Sequence, residues 1–391
     1  MAVRIVSVVG ARPQFVKLSP IHEAFRCDRY RDVVEHRILH TGQHYDYGMS
    51  GAFFGSLGIP EPDENLGVGS GQHGEQTGAM LCQLERYLTE CRPDLVLLYG
   101  DTNSTLAGAL AAVKLHISVA HIEAGLRSRN KAMPEEINRV LTDHVSSILF
   151  CPTVQSVRNL ETEGLHNSAR FEGLLPANDP LPSVQASVDH PWILNVGDVM
   201  KDAVLMHLGR ARELSGMLSS LSLEGTHFAV ATVHRAENTD DPKRLSRIMD
   251  ALSELSRETI PVILPLHPRT REILRRSTGV LSEQVHCIEP VGYLDMIHLV
   301  SEAQLVLTDS GGLQKEAFLL KTPCLTLRDE TEWVELVDAG WNRVVGTEAS
   351  TIVKSARDIL ESPLIRSEAE LYGDGRAAER IAYVCANWRR R

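Results

Sequence analysis

Short apolar runs alternate with longer amphipathic stretches along the whole chain, which is typical of parallel β-sheets covered by helices. In the first half, apolar runs predict strands at residues 4–9, 94–99, 118–122 and 147–151. In the second half, they predict strands at residues 193–196, 228–232, 262–266, 285–288, 305–308 and 324–327. The pattern therefore predicts an α/β fold.

The chain has 391 residues, which exceeds what one hydrophobic core usually supports. A stretch at 172–190, rich in Pro, Ser, Asp and Asn and without periodicity, predicts an interdomain connection or a surface loop. We therefore expect an N-terminal domain over 1–180 and a C-terminal domain over 191–370. Residues 371–391 have a helical pattern, and we expect this helix to pack back on the N-terminal domain.

Composition narrows the class of protein. Apolar residues make up 43% of the chain and charged residues 23%, as in ordinary globular proteins. The net charge of −11 argues against broad nucleic-acid binding, so an anionic substrate would need local cations. No apolar run approaches the roughly 20 residues of a membrane helix, and the first run is too short for a signal peptide, which predicts a cytoplasmic protein. The seven cysteines show no C-x-x-C spacing, so we expect neither a zinc site nor a disulfide framework.

The first predicted strand ends in the motif GARPQ at residues 10–14. A glycine at such a turn lets backbone N–H groups approach an anion, and Arg12 and Lys17 add positive charge. Taken alone, the motif is more typical of an ordinary tight turn with solvated cations. Asp101 in GDTNS likewise follows a strand, where it either caps the next helix or presents a carboxylate to a ligand.

Two further carboxylates follow the third predicted strand: Glu123 in HIEAGLRS and Glu135 in MPEEINR. The acids of the second motif also suit an ordinary helix start. Together with Asp101, however, they predict three carboxylates near one strand-end surface. Clustered carboxylates raise one another's pKa and so supply a base and an acid near neutral pH.

In the second half, TVHRAEN places His234 and Arg235 after an apolar strand, and LHP places His267 after the next one. A lone histidine is more often structural, but these residues together predict donors to phosphate oxygens.

The segment DSGGLQKE at residues 309–316 is the sharpest local signal. Ser310, Gly311 and Gly312 at a helix start predict a concavity lined by N–H groups that would hold a diphosphate. Glu316 could accept hydrogen bonds from ribose hydroxyls. A capped helix is the alternative, but consecutive glycines weaken a helix that has no other use for them.

With these motifs assembled, the chain resembles the non-hydrolysing UDP-N-acetylglucosamine 2-epimerases over nearly its whole length. Ten motifs carry the resemblance in the family's order: GARPQ with Lys17, HTGQHYD, GDTNS, HIEAGLRS, MPEEINR, TVHRAEN, LHP, TDSGGLQKEA, LRDETE and YGDGRAAERI. The resemblance implies a B-type glycosyltransferase-like fold, in which two Rossmann-like domains face each other across a deep cleft. It also implies a homodimer, with no metal and no organic cofactor.

The implied reaction interconverts UDP-N-acetylglucosamine and UDP-N-acetylmannosamine by elimination of UDP to a 2-acetamidoglucal and its re-addition. By the resemblance, the catalytic residues are Asp101, Glu123, Glu135 and His234. The positions that match nucleotide-binding residues, to which we add His267, are Arg12, Lys17, Ser310, Gly311, Gly312, Glu316 and Arg328.

Two departures from the family pattern stand out. The chain has a longer Pro-rich connection and reads VGDVMKD at residues 196–202, where the family has G-N-P-x-x-D. The family's activator site, where a second substrate molecule binds, is matched at Gln43 and His44. Its other wall, around Gln72, has a different pattern, so we expect weak or no activation by substrate.

Three alternatives remain open from the sequence. A hydrolysing relative would release UDP and free N-acetylmannosamine, and its motifs barely differ. A glycosyltransferase of the same fold would share Gly311, Gly312 and Glu316 but would not need the three carboxylates, because transfer requires no proton abstraction at carbon. A non-enzymatic nucleotide-sugar sensor would not need them either.

Overall fold

Two parallel β-sheets, one in each half of the chain, organise the protein. A computed structural model describes residues 2–43, 54–169, 173–176, 181–182, 185–266, 268–276, 285–361 and 371–388. The described chain divides into a first unit, Met1–Ala203 with Glu370–Arg391, and a second unit, Val204–Ala369.

The sheet of the first unit has the strand order β3-β2-β1-β4-β5-β6-β7, with all pairs parallel. Its strands are β1 Val3–Val9, β2 Val34–His40, β3 Glu64–Asn65, β4 Leu95–Tyr99, β5 Ser118–Ile122, β6 Ile148–Cys151 and β7 Trp192–Asn195. The connecting helices are α1 Arg12–Arg26, α2 His73–Cys91, α3 Asn103–Lys114, α4 Pro134–Val145 and α5 Val154–Thr162.

The sheet of the second unit repeats this order as β10-β9-β8-β11-β12-β13, again parallel. Its strands are β8 Ala229–Thr232, β9 Val262–Pro265, β10 Val285–Ile288, β11 Leu305–Thr308, β12 Cys324–Thr326 and β13 Asn342–Val344. The remaining helices, the last of which belongs to the first unit, are α6 Val199–Leu214, α7 Met217–Ser220, α8 Ala236–Thr239, α9 Pro242–Glu258, α10 Pro268–Arg276, α11 Tyr293–Glu302, α12 Gly311–Leu319, α13 Val334–Asp338, α14 Ala349–Glu361 and α15 Ala377–Ala386.

Both strand orders are of the Rossmann type, so the predicted α/β class with two Rossmann-like units is confirmed. The central strands are buried on both faces, as in β4, where all five residues of the run LVLLY are buried. Three strands were missed. β2 is interrupted by three consecutive polar residues at 35–37, β3 is two exposed residues, and β13 is three residues long, so none forms a long continuous apolar run.

The strand predicted at 193–196 was assigned to the wrong sheet. β7 pairs with β6 of the first unit, in register Ile148 with Trp192 through Cys151 with Asn195. The second unit therefore begins at Val204, inside α6, and not at 191. The described part of 172–190 precedes β7 and so lies within the first unit. An apolar run predicts a strand, but it does not contain information about which sheet the strand joins.

The C-terminal segment lies with the first unit and explains the motif YGDGRAAERI. The Asp202 carboxylate accepts from the amide of Ala378 at 2.8 Å, and Lys201 donates to the carbonyl of Gly373 at 2.6 Å. The Trp388 indole donates to the carbonyl of Asp94 at 3.2 Å. Residues 373–388 therefore bind both the start of α6 and the amino end of β4, which is a structural role.

No helix in the described ranges is long and apolar enough to cross a membrane. All seven cysteines are free. Within the same ranges, no three His, Cys, Asp or Glu side chains are grouped so as to hold a metal ion.

Candidate active site

Polar segments follow the strands on both sides of the point where the order of the first sheet reverses, between β1 and β4. Open α/β sheets bind ligands at the carboxyl ends of their strands beside this point. The segments after β1, β4 and β5 carry Arg12, Lys17, Asp101 and Glu123. The two carboxylates therefore lie after neighbouring strands of the sheet.

The GARPQ turn is a packed turn and not an anion cradle. The amides of Gly10 and Ala11 both donate to the Gln14 side-chain oxygen, at 2.7 and 3.0 Å. A Cβ on Gly10 would lie 2.1 Å from the Thr41 hydroxyl and 2.2 Å from that of Ser104, so only glycine fits. Arg12 lies exposed in the first turn of α1.

Asp101 follows Gly100, whose φ of +60° closes the turn after β4. Its carboxylate forms an ion pair with Arg139 of α4, and the same guanidinium lies 3.3 Å from a carboxylate oxygen of Glu136. Burial opposes the charged form of Arg139, yet the attraction of Asp101 and Glu136 raises its pKa. Arg139 is therefore a fixed cation beside Asp101, and the sequence interpretation did not include it.

Glu123 has a φ of +73°, a left-handed conformation that is uncommon for a residue with a side chain. Its carboxylate forms an ion pair with Lys17, and the two side chains are only 11% and 9% exposed. Both groups lie above Gly100, because a Cβ there would be 3.3 Å from the Glu123 carboxylate and from the Lys17 ammonium. Lys17, which is predicted to bind the nucleotide, is paired here with a predicted catalytic carboxylate.

The two neighbouring glutamates of MPEEINR have different environments. Glu136 is buried and accepts from the amides of Ser128 and Arg129, both at 2.9 Å, so it holds the loop between β5 and α4. Glu135 is half-buried in the first turn of α4. Of the pair, Glu136 has the structural role, and Glu135 is the more accessible to a ligand.

Two of the three predicted catalytic carboxylates of the first unit are each paired with a cation. The sequence predicted that the three carboxylates raise one another's pKa, but Asp101 is paired with Arg139 and Glu123 with Lys17. A cation in contact with a carboxylate offsets the repulsion from the other carboxylates. The ion pairs, and not repulsion between the carboxylates, therefore dominate the electrostatics here. A small pocket at the ends of β5 and β6 is lined by Lys17, Glu123, Phe150 and residues 196–199.

The candidate activator residues lie after β2 and before α2. The Gln43 side chain accepts from the Ser104 hydroxyl at 2.7 Å and from its amide at 3.2 Å. Gln72 is exposed at the start of α2. Gln76, one turn further along the same segment, is buried and accepts from the side-chain amide of Asn103 at 2.8 Å. His44 lies outside the described residues.

In the second unit, Asp309 organises the loop that carries His234. The buried Asp309 carboxylate accepts from the amides of His234 and Arg235 at 3.1 and 3.0 Å and from the Asn238 side chain at 3.1 Å. His234 Nδ1 lies 3.5 Å from the same carboxylate, and the side chain is 43% exposed. This contact involves Nδ1 of His234, so its Nε2 points away from Asp309. The position of Asp309 directly after β11 is the sequence feature from which this role could have been predicted.

The SGG segment starts α12. Ser310 caps the helix by accepting from Leu313, and its own amide donates to the Thr308 hydroxyl at 2.9 Å, so this amide is not an open donor. A Cβ on Gly311 would lie 2.2 Å from a Glu332 oxygen, which explains that glycine by packing. A Cβ on Gly312 would meet nothing closer than 4.0 Å. Packing therefore explains only one of the two glycines.

The last predicted nucleotide-binding residues lie near this helix. Glu316, one turn along α12, is half-buried. Arg328 is buried and donates to Glu237 at 3.0 Å and to Glu332 at 2.8 Å. Burial raises the pKa of Glu332, but Arg328, a backbone hydrogen bond and Arg235 together lower it by more, so the net shift of this pKa is downward. Arg328 is thus held by two carboxylates. His267 lies outside the described residues.

Comparisons with known proteins identify the family of the chain. The family model described as UDP-N-acetylglucosamine 2-epimerase matches residues 27–386. A Pseudomonas aeruginosa protein named UDP-2,3-diacetamido-2,3-dideoxy-D-glucuronate 2-epimerase is 49% identical over 383 residues, 98% of this chain and 99% of that protein. The Escherichia coli UDP-N-acetylglucosamine 2-epimerase is 32% identical and covers 98% of each chain.

Solved structures agree. The Methanocaldococcus jannaschii UDP-GlcNAc 2-epimerase, crystallised in complex with UDP-GlcNAc and UDP, superposes with a TM-score of 0.83 and is 39% identical, covering 97% of this chain and 99% of that one. The resemblance, the fold class and the assignment to the epimerases among the isomerases are confirmed. This chain belongs to the UDP-N-acetylglucosamine 2-epimerase family.

Proposed function

We propose that the protein inverts carbon 2 of a UDP-linked 2-acetamido sugar without hydrolysing it. The observation that carries the proposal is the pair of carboxylates, Asp101 and Glu123, at the ends of neighbouring strands, each beside a cation. A glycosyltransferase needs no base at carbon. The solved relative with UDP-GlcNAc and UDP supports a UDP-sugar substrate.

The proposed reaction balances without a cofactor. A carboxylate removes the proton from carbon 2 while the bond from carbon 1 to the UDP oxygen breaks, which gives a 2-acetamidoglucal and UDP. A proton is then added to the opposite face of carbon 2, and UDP adds back to carbon 1. Asp101, Glu123 and Glu135 are the proposed acid and base groups. His234 and Arg12 are proposed to stabilise charge on the departing UDP.

The sugar itself has two candidates. UDP-N-acetylglucosamine, giving UDP-N-acetylmannosamine, is supported by relatives such as those of E. coli and M. jannaschii. The P. aeruginosa relative, 49% identical, supports UDP-2,3-diacetamido-2,3-dideoxy-D-glucuronate. Both carry UDP at carbon 1 and an acetamido group at carbon 2, so the same chemistry serves either. The homodimer and the cytoplasmic location stay predictions.

Proton NMR of the protein with each UDP-sugar in turn tests the proposal. The expected result is a UDP-linked 2-epimer of at least one substrate, at equilibrium with it and with no free sugar. Release of UDP and a free sugar would instead support the hydrolysing alternative. An absence of reaction with both sugars would contradict the epimerase proposal.

The nucleotide site gives the next prediction. If Glu316 accepts from the ribose hydroxyls, Glu316→Gln weakens UDP binding by about 1.5–3 kcal/mol, the range for a hydrogen bond to a charged group. Calorimetry with UDP and with 2′,3′-dideoxy-UDP, on wild type and variant, measures it. The variant should lose affinity for UDP but not for the dideoxy compound. Equal binding of both ligands by the wild type would disprove the assignment.

Gly312 gives a prediction in which stability and binding change in opposite directions. Alanine suits a helix better than glycine by up to about 1 kcal/mol, and a Cβ at 312 meets no nearby protein atom, so Gly312→Ala should not destabilise the fold. If the diphosphate approaches this backbone, the same methyl group should weaken UDP binding by about tenfold or more, which is about 1.4 kcal/mol.

The matched control is Gly209→Ala, at an exposed glycine inside α6 whose Cβ would also meet nothing within 4 Å. It should stabilise the helix to a similar degree and leave UDP affinity unchanged. Thermal unfolding and UDP titration of both variants decide the matter. Unchanged UDP affinity in Gly312→Ala would show that the diphosphate does not contact this residue.

A further inference from the structure

A fully buried histidine connects the two turns that carry Asp101 and Glu123. His121, the fourth residue of β5, and Asp143 of α4 are both 0% exposed, and His121 Nδ1 lies 2.6 Å from an Asp143 oxygen. On its other side, His121 Nε2 lies 2.7 Å from the carbonyl oxygen of Gly100. No role in the chemistry proposed above uses either residue.

The partners of the imidazole determine where its protons are. A carbonyl oxygen can only accept, so Nε2 must carry a proton that it donates to Gly100. A neutral histidine has one N–H, so a proton between Nδ1 and Asp143 belongs either to the ring or to the carboxylic acid. The choice between a charged and a neutral pair therefore depends on whether Asp143 is ionised.

The surroundings of Asp143 favour its ionised form. Its second oxygen accepts from an Arg127 guanidinium N–H at 2.7 Å and from the Gly125 amide at 3.1 Å. Hydrogen bonds from a cation and from an amide stabilise a carboxylate and not the protonated acid.

Further charged groups complete the network. Arg127 donates to both oxygens of Glu163 at 2.7 Å, and His144 Nε2 lies 3.4 Å from Glu163. From the neighbouring strand, Cys151 is buried with its pKa raised, so it faces Asp143 as a neutral thiol. With Asp143 and Glu163 negative and Arg127 positive, one more positive charge makes the buried group neutral.

We propose that His121 is an imidazolium in the folded protein, and that the His121–Asp143 pair is a positioning device for the two carboxylate-bearing turns. His121 fixes the Gly100 carbonyl, one residue before Asp101. Asp143 fixes the Gly125 amide, two residues after Glu123, in a stretch where Glu123 and Gly125 both have positive φ. The catalytic part of this inference rests on the proposed function, but the charge state does not.

Nuclear magnetic resonance of protein labelled with 15N-histidine tests the charge state directly. Exposed histidines lose their second proton near their ordinary pKa of about 6.5. We expect one histidine to carry protons on both ring nitrogens at a pH at which the exposed histidines carry only one. If every histidine of the wild type is singly protonated at that pH, the proposal is overturned, whatever the variants do.

Variants assign the signal. His121→Gln should remove it, and Asp143→Asn should leave His121 with one protonated nitrogen. His144→Gln, which changes a 43% exposed histidine that contacts the outer end of the network, is the matched control and should leave the signal intact. A doubly protonated signal that survives both His121→Gln and Asp143→Asn, or that disappears in His144→Gln, would assign the charge elsewhere and contradict the proposal.

Kinetics test the positioning role. Misplacing a reacting group by about 1 Å can cost about 10²-fold in rate, so Asp143→Asn should lower kcat by about that factor with KM little changed. An imidazolium signal in the wild type, together with an unchanged kcat in Asp143→Asn, would overturn the positioning role alone. A wild-type protein that shows the imidazolium but no epimerase activity would contradict the proposed function and not the charge state.

Discussion

Replacing Asp101, Glu123 or Glu135 by its amide is expected to lower turnover by about 10²–10⁴-fold, the usual contribution of a general acid or base. Asp101→Asn, Glu123→Gln and Glu135→Gln keep the shape of each side chain and remove its ability to take up a proton at neutral pH. UDP affinity should be retained, because the residues proposed for the nucleotide are mainly in the second unit. The measurements are kcat by proton NMR and UDP binding by calorimetry.

The matched control is Glu64→Gln, in the short edge strand β3 of the same sheet, where the carboxylate is exposed. It should leave kcat unchanged. Full activity in all three carboxylate variants would remove the proposed acid–base mechanism. Loss of UDP binding in parallel with kcat would mean that the substitution disturbs the fold or the nucleotide site and not proton transfer alone.

The same chemistry predicts isotope uptake. Inversion requires protonation on the face opposite to deprotonation, so one carboxylate is not sufficient, and a group that exchanges with solvent delivers the second proton. Product made in heavy water should therefore carry deuterium at carbon 2. Epimer formed without deuterium would indicate a shielded proton transfer or another route.

Lys17→Met is expected to destabilise the first unit by about 3–5 kcal/mol, the usual cost of removing one partner of a buried ion pair. The cost is high because the Glu123 carboxylate would lose its cation in a site where its side chain is only 11% exposed. Against a total stability of about 5–15 kcal/mol, this is a large loss. Denaturant unfolding that follows the first unit measures it.

The double variant Lys17→Met/Glu123→Gln provides the decisive comparison. Removing both charges should recover much of the lost stability, because no unpaired charge remains buried. Arg31→Met, which breaks an ion pair with Asp28 whose side chains are 60% and 92% exposed, should change stability little. If Lys17→Met is as harmless as Arg31→Met, the Lys17–Glu123 pair is not the interaction that holds Glu123 in place.

Part of the site could be predicted from local pattern. Asp101, Glu123, His234 and Ser310 each follow an apolar strand, and in parallel sheets the strand ends that bind ligands share one edge. The pattern could not predict which distant residue each of these side chains contacts. Asp309 was expected only as part of a phosphate-binding segment, yet its carboxylate holds the His234 loop.

The glycines also show that a local sequence pattern does not identify the group that a residue contacts. The sequence interpretation considered close approach of an anion at Gly10, Gly311 and Gly312, although an ordinary tight turn was favoured for Gly10. Gly10 is required instead by the hydroxyls of Thr41 and Ser104, and Gly311 by the Glu332 carboxylate. Only Gly312 keeps the original explanation open. A glycine in such a position indicates that another group approaches the backbone closely. The sequence does not say whether that group belongs to the protein or to a ligand.

By itself, the sequence determined that the chain builds two parallel α/β units, because burial on both faces of a strand requires a local apolar run. It also determined which polar residues stand at the strand ends. Only the tertiary structure decided which sheet β7 joins and which charges pair: Lys17 with Glu123, 106 residues away, Asp101 with Arg139, 38 away, and Arg328 with Glu237, 91 away. The physical reason is that strand order and ion pairing depend on which distant segments become neighbours in space, and hydrophobic periodicity within one segment does not encode its neighbours.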